Sequence, residues 1–106
     1  MKILALNFDV REIRIIPNDG QPLFCLADIG EVLGIKRPSP KRFNLKENGI
    51  FKITIGTNGG NQILNFINEE NLYHVLIRSR KPKAREFQDW VAKDALPLLR
   101  KSEGAA

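Results

Sequence analysis

Apolar residues crowd positions 3 to 16, and Ile13 and Ile15 flank Arg14 in the alternation of a strand with one buried face. Asn18-Asp19-Gly20 follows. Asp-Gly readily takes the positive φ of a tight hairpin, so the strand near 11–16 is expected to fold back on one near 22–25. After Cys25 the spacing becomes helical: Ala27, Ile29, Val32 and Leu33 recur over about two turns, and Gly34 stands where a left-handed residue closes a helix. Ser39-Pro40 reads as an N-cap followed by proline at the first helical position, which predicts a second short helix from Lys41 to about Glu47 with Phe43 as its inward anchor. Phe51, Ile53 and Ile55 then alternate with Lys52 and Thr54, and a further apolar run covers 63–67. The intervening Asn58-Gly59-Gly60-Asn61 makes the pair a second hairpin.

Asn68 before Glu69 and Glu70 is a strong helix start, combining a capping side chain with acids against the positive end of the dipole. That helix is expected to reach about Arg78, and Leu72, Tyr73, Val75, Leu76 and Ile77 cover more than one stripe, which implies burial between the sheet and another helix. Pro82 opens a last helix whose stripe is Phe87, Trp90, Val91, Ala95 and Leu98. Pro97 has no N–H to offer the carbonyl of residue 93, so a kink or an end is expected there. The fold class is α+β: antiparallel β-hairpins with about four helices in a single domain over residues 1–101, and a frayed tail over 102–106. The first two helices have the outline of a helix-turn-helix-like pair, and the hairpin after them stands where a winged domain carries its wing.

Composition narrows the class. At 106 residues and 42% hydrophobic content, the chain can build a core without staples, and its one cysteine, Cys25, rules out an internal disulfide. The N-terminal apolar run is too short for a signal-peptide core, and no stretch approaches a membrane span, so a cytoplasmic protein without a membrane partner is expected. Catalytic chemistry finds no constellation. His74 stands alone, Cys25 has no basic neighbour to lower its pKa, and Glu69 and Glu70 are accounted for by their helix start. Asp28 and Glu31 lack a partner of metal-ligand type, and Gly59-Gly60 precedes a strand rather than a helix. The expectation is a non-enzyme with no catalytic residue, metal or cofactor.

Charge points to a partner. Ten of the 17 Lys and Arg residues fall in two stretches, Lys36 to Lys46 and Arg78 to Arg85, that contain no Asp or Glu. Clustered positive charge on a small domain is the footprint of a polyanion, and double-stranded DNA is the expected partner. The candidate DNA-binding residues are Lys36, Arg37, Ser39, Lys41, Arg42, Asn44 and Lys46 in the first stretch, Lys52 and Asn61 on the hairpin, and Arg78, Arg80, Lys81, Lys83 and Arg85 in the second. In a helix-turn-helix geometry Arg42 reads guanine and Asn44 adenine.

Several motifs then occur in order: Asp19-Gly20, Phe24 to Gly34 (FCLADIGEVLG), Gly59-Gly60, Ile67-Asn68-Glu69 with Leu72-Tyr73, Ser79-Arg80, Ala84-Arg85-Glu86-Phe87 to Trp90-Val91, and Leu96-Pro97 with Arg100-Lys101. As a series over about residues 8 to 101 they resemble the Bro-N domain, which heads prophage antirepressors and the Bro proteins of baculoviruses and other large DNA viruses. The resemblance implies a DNA-binding domain acting in phage or viral gene regulation, here prophage-encoded in a bacterial cytoplasm. It also implies an alternative, an antirepressor that works by contacting a repressor protein rather than DNA. A homodimer is a further expectation, because palindromic operators are read by two-fold pairs. Family members usually continue into a second domain, so a chain that stops at Ala106 is read as a trimmed fragment or a stand-alone version. Where the family has Asp-Val-Ala this chain has Asp28-Ile29-Gly30, and Gly30 weakens the helix by up to about 1 kcal/mol relative to alanine.

Overall fold

The chain's structure is a computed structural model that describes residues 2–102. Strands β1 (Leu4–Phe8), β2 (Arg11–Ile16) and β3 (Leu23–Cys25) lead directly into helix α1 (Leu26–Leu33). An irregular segment and one 3-10 turn (Glu47–Gly49) precede β4 (Ile50–Thr57) and β5 (Gly60–Ile67). Helix α2 (Glu69–Ser79) follows, then α3 (Pro82–Trp90), which runs through a π-helical stretch (Val91–Ala95) into α4 (Leu96–Ser102). The class is α+β, with three helical bodies rather than about four. Residues 103–106 of the expected frayed tail lie outside the described residues.

All five strands form one antiparallel sheet in the order β1-β2-β3-β5-β4. The turn at Asn18-Asp19-Gly20 forms as expected: all three residues take positive φ, and the Gln21 N–H closes on the Asn18 carbonyl at 3.1 Å. It sets β2 on β3 with Ile15 opposite Phe24. Ile13, Ile15, Phe24 and Ile67 share the face covered by the helices, where they pack with Ile29, Leu33, Leu72, Val75, Phe87 and Val91. The opposite face carries a second cluster, Ile16, Leu23, Cys25, Leu64 and Phe66. Cys25 is fully buried there, and burial pushes its thiol pKa up, away from reactivity.

Helix ends follow the local chemistry. Gly34 is left-handed at φ 68°, its N–H bonds the Glu31 carbonyl, and Ile35 N–H reaches the Gly30 carbonyl at 2.8 Å, a paired closure that satisfies two otherwise orphaned carbonyls. Asn68 caps α2 by accepting the Asn71 N–H at 3.0 Å. Across the molecule, Asp28 ties α1 to β2, accepting the Arg14 backbone N–H, Nε and Nη2 at 2.9, 2.9 and 2.8 Å. The carboxylate holds the largely sheltered guanidinium well above its ordinary pKa, chiefly through those hydrogen bonds.

Four local expectations are corrected. No helix forms over 41–47, so the helix-turn-helix-like pair is absent. The hairpin of β4 and β5 is no free wing, because β5 pairs with β3 inside the sheet. Of the kink or end expected at Pro97, the end does not occur: a π-helical stretch just before it interrupts the α-helix and accommodates the missing hydrogen bond. That turn also resets the stripe, so Phe87, Val91, Ala95 and Leu99 are buried while Leu98 is exposed and Trp90 half-buried. Ile77 is likewise outside, at 74% exposure, so α2 buries one stripe and not two.

Removing the Asp28 carboxylate leaves a sheltered guanidinium without its partner. Asp28→Ala is expected to destabilise the fold by about 2–4 kcal/mol, read from urea unfolding, and an unchanged midpoint would contradict the assignment. Tyr73, the only tyrosine, is pushed up to about 12, first by partial burial and then by the hydrogen bond its hydroxyl donates to Glu69 Oε2 at 2.9 Å. Because the folded value exceeds the unfolded one of about 10, this contribution is fully present below pH ~10 and is lost as pH rises through ~12. Spectrophotometric titration of the phenol should show that displaced midpoint. A midpoint near 10 in the folded chain would refute it.

Candidate nucleic-acid interface

The first basic stretch folds as an anchored loop. Ser39 does cap a helical turn, accepting the Arg42 N–H at 3.2 Å, but the turn closes at once: Asn44 takes φ 53° and Leu45 N–H returns to the Pro40 carbonyl at 3.1 Å. The cause is the pattern of burial. Phe43 and Leu45 are both buried, and residues two apart point to opposite sides of a helix, so both reach the core only if the chain leaves helical geometry between them. A single turn also lacks the length to offset the cost of helix nucleation.

Contacts distant in sequence hold this loop in place. At its start, Pro38 lies flush on α1 at Gly30, where an added Cβ would overlap the proline ring. At its end, the fully buried Asn71 side chain grips the Lys46 backbone from both sides, donating Nδ2 to its carbonyl and accepting its N–H, each at 3.0 Å. Next to this, the Asn68 N–H bonds the Gly49 carbonyl at 2.9 Å, and the Asn68 side chain fills the space a Cβ on residue 49 would need. The anchoring roles of Gly30, Asn71 and Gly49 escaped the sequence reading. Their local signals are an imperfect helix residue, a second asparagine after a cap and a loop glycine, and none names its distant partner.

Anchored in this way, the loop brings the two basic stretches together. Lys36 and Arg42 from the first and Arg78 and Lys81 from the second line one groove of about 450 Å³ with Gly34, Ile35, Phe43 and Ser79. The Lys81 ammonium donates to the Leu33 carbonyl at 2.6 Å, a cation at the negative end of α1, and Arg42 Nη1 donates to the Lys36 carbonyl at 3.2 Å with its guanidinium 5.8 Å from the Phe43 ring centre. On the other side of the loop, Ser39, Lys41 and the carboxylate Glu47 line a second groove of about 470 Å³ with Lys52 of β4 and Asn65 of β5, a polar contributor missed in the sequence.

The remaining candidates divide. Arg37 and Arg80 are exposed and left-handed, at φ 52° and 55°, and Asn44 is exposed at the loop's closure. Arg85 is exposed on α3, and Asn61 lies at the far end of the hairpin opposite Gly56. Lys46 pairs with Glu70 at 3.1 Å. Lys83 pairs with Asp9 at 3.1 Å and Glu86 at 3.0 Å, which raise its pKa, and it lines a different groove with Phe8, Asp89, Trp90, Lys93 and Asp94. These two cations therefore already have carboxylate partners. His74 is exposed, and no metal-binding group of three His, Cys, Asp or Glu occurs among the described residues. No helix among them is long and apolar enough to cross a membrane.

Comparison with known proteins adds a family. The BRO family, N-terminal domain, matches residues 12–97. An uncharacterised protein of Haemophilus influenzae is 36% identical over 100 residues, covering 92% of this chain and 50% of that protein. The chain thus spans about half the length of that relative. No solved structure matches.

The Asn71 clamp has a direct test. Asn71→Ala leaves the Lys46 N–H and carbonyl without their partner and is expected to cost about 2–3 kcal/mol. Amide exchange should accelerate over 40–46 while the sheet stays protected. Unchanged protection across the loop would show that the clamp does not hold it.

Proposed function

Because the chain belongs to the BRO family through its N-terminal domain, we propose that it is the DNA-binding module of a prophage antirepressor-type regulator and performs no catalysis. It engages duplex DNA through the face built by its two basic stretches. The observation that carries this reading is the groove in which Lys36 and Arg42 meet Arg78 and Lys81, cations some forty residues apart in the chain with no carboxylate among the groove's lining. Positive charge concentrated in a concavity focuses the field on a polyanion and raises its local concentration.

The absence of a recognition helix shapes the mode of binding. An ordered loop with one helical turn presents short reach and dense charge, which suits contacts to phosphates, and phosphate contacts set register on a duplex without reading its sequence. Sequence discrimination then falls to the residues at the loop's crest, Arg37, Lys41 and Asn44, all exposed. Lys52 and Asn65, on the neighbouring hairpin, extend the same surface.

Lys36, Arg78 and Arg80 have exposed side chains with no ion-pair partner among the described residues, so replacing all three by Gln leaves the packing intact. The triple variant is expected to keep its melting temperature, to bind all duplexes more weakly, and to lower the magnitude of the log–log salt slope by up to about 3. Unchanged affinity and slope would remove this face from DNA binding. Failure of the native chain to bind duplex at low salt, with retained binding to a repressor protein, would favour the antirepressor that acts through protein contact.

A further inference from the structure

β4 is the terminal strand of the sheet, and its outer edge is open: only β5 packs substantially against it among the described elements. Its eight residues pair one-to-one with β5 from Ile50 opposite Ile67 to Thr57 opposite Gly60, so no bulge interrupts it, and it contains no proline. Long, regular edges are normally blunted by such devices, or by charged side chains, because they offer unpaired backbone groups to another strand, and here Lys52 is the strand's one charge. The opposite edge, β1, is shorter at five residues and ends in Phe8, which is buried edge-on against Phe87 and Trp90. On β4, Phe51, Ile53 and Ile55 share one face, with Phe51 39% exposed and the two isoleucines half-buried. Lys52, Thr54 and Gly56 share the other.

We propose that β4 pairs antiparallel with β4 of a second copy of this chain, with Ile53 on the two-fold axis. The side-chain pattern selects this register. With Ile53 at the centre, Phe51 faces Ile55 of the partner subunit, an aromatic and β-branched pair of the kind that stabilises adjacent strands, and Lys52 faces the partner's Thr54. Shifting the axis to Lys52 sets two like charges opposite each other. Shifting it to Thr54 puts Phe51 opposite the polar Thr57 of the partner subunit. Only the Ile53 register matches the apolar row to itself along its length.

The pairing does not depend on the DNA reading, though it would give that reading a geometry. An axis perpendicular to the sheet keeps both copies of Lys52 on one face, so the grooves lined by Lys41, Glu47 and Lys52 lie on the same face of the pair, related by the two-fold.

Sedimentation of the native chain over a concentration series tests the proposal. The mass should rise toward twice 12.0 kDa. Phe51→Lys should weaken dimerisation at least about tenfold, which is about 1.4 kcal/mol, and adding Ile55→Glu should restore it, because this register sets positions 51 and 55 of opposite copies together. Ile53→Cys should oxidise to a covalent dimer and Thr54→Cys should not. Cys25, fully buried, contributes no background. The cross-linking pair decides the matter even if Phe51→Lys fails to fold. A chain that stays monomeric at every concentration, or an Ile53→Cys chain that forms no covalent dimer, would overturn the proposal. Duplex binding measured on the same samples separates the two readings: a monomer with a steep salt response sinks only the dimer, and a dimer indifferent to DNA sinks only the function.

Discussion

One buried amide decides where the positive charge of this molecule goes. Asn71, inside the first turn of α2, bonds both backbone groups of Lys46 and so treats the end of a loop as though it were a neighbouring strand. A buried amide that is fully satisfied rigidifies what it touches, whereas an unsatisfied one is costly, so the arrangement has a single low-energy solution. The other end of the loop is fixed by the closure of α1 at Gly34 and by Pro38 on Gly30. Between these points, Phe43 and Leu45 enter the core. Lys36, Arg37, Lys41 and Arg42 repel one another, and these contacts hold them together regardless.

Backbone strain gathers in the same places. Of the described non-glycine residues with positive φ, Asp9, Asn18 and Asp19 serve hairpin turns, where short polar side chains tolerate the conformation. The other three, Arg37, Asn44 and Arg80, lie in the two basic stretches. A left-handed arginine costs about 1–2 kcal/mol, and Arg80 occupies the helix-closing position that glycine fills at the end of α1. Both arginines keep their side chains exposed in this conformation.

Local chemistry was legible in the sequence, and distant pairing was not. The turn at Asn18-Asp19-Gly20, the closure at Gly34, the cap at Asn68 and the helix start at Pro82 each depend on residues within a few positions, and each formed where expected. The helix over 41–47 failed because Ser39-Pro40 is a true start whose continuation is vetoed by two core positions at non-helical spacing. Pro97 was a correct warning with a milder outcome, a π turn in place of a break. For the candidate site, the clustering of charge was plain, yet the sequence could not tell partnered cations from unpartnered ones. The partner of Lys46 is 24 residues away and one partner of Lys83 is 74. Gly30 looked like a defect in α1 and is the surface on which the basic loop rests.

The anchored loop and the segment after α2 are proposed to form one DNA-facing surface. Titrating the isotopically labelled chain with a short duplex and following backbone amide shifts tests it residue by residue. Shifts confined to 34–46 and 78–81, with extension to Lys52 and Asn65, are the predicted result, leaving Asp9, Glu86 and Asp89 unmoved. Shifts centred on the acidic groove around Asp9 and Trp90, or absent from both basic stretches while the duplex still binds, would contradict the account.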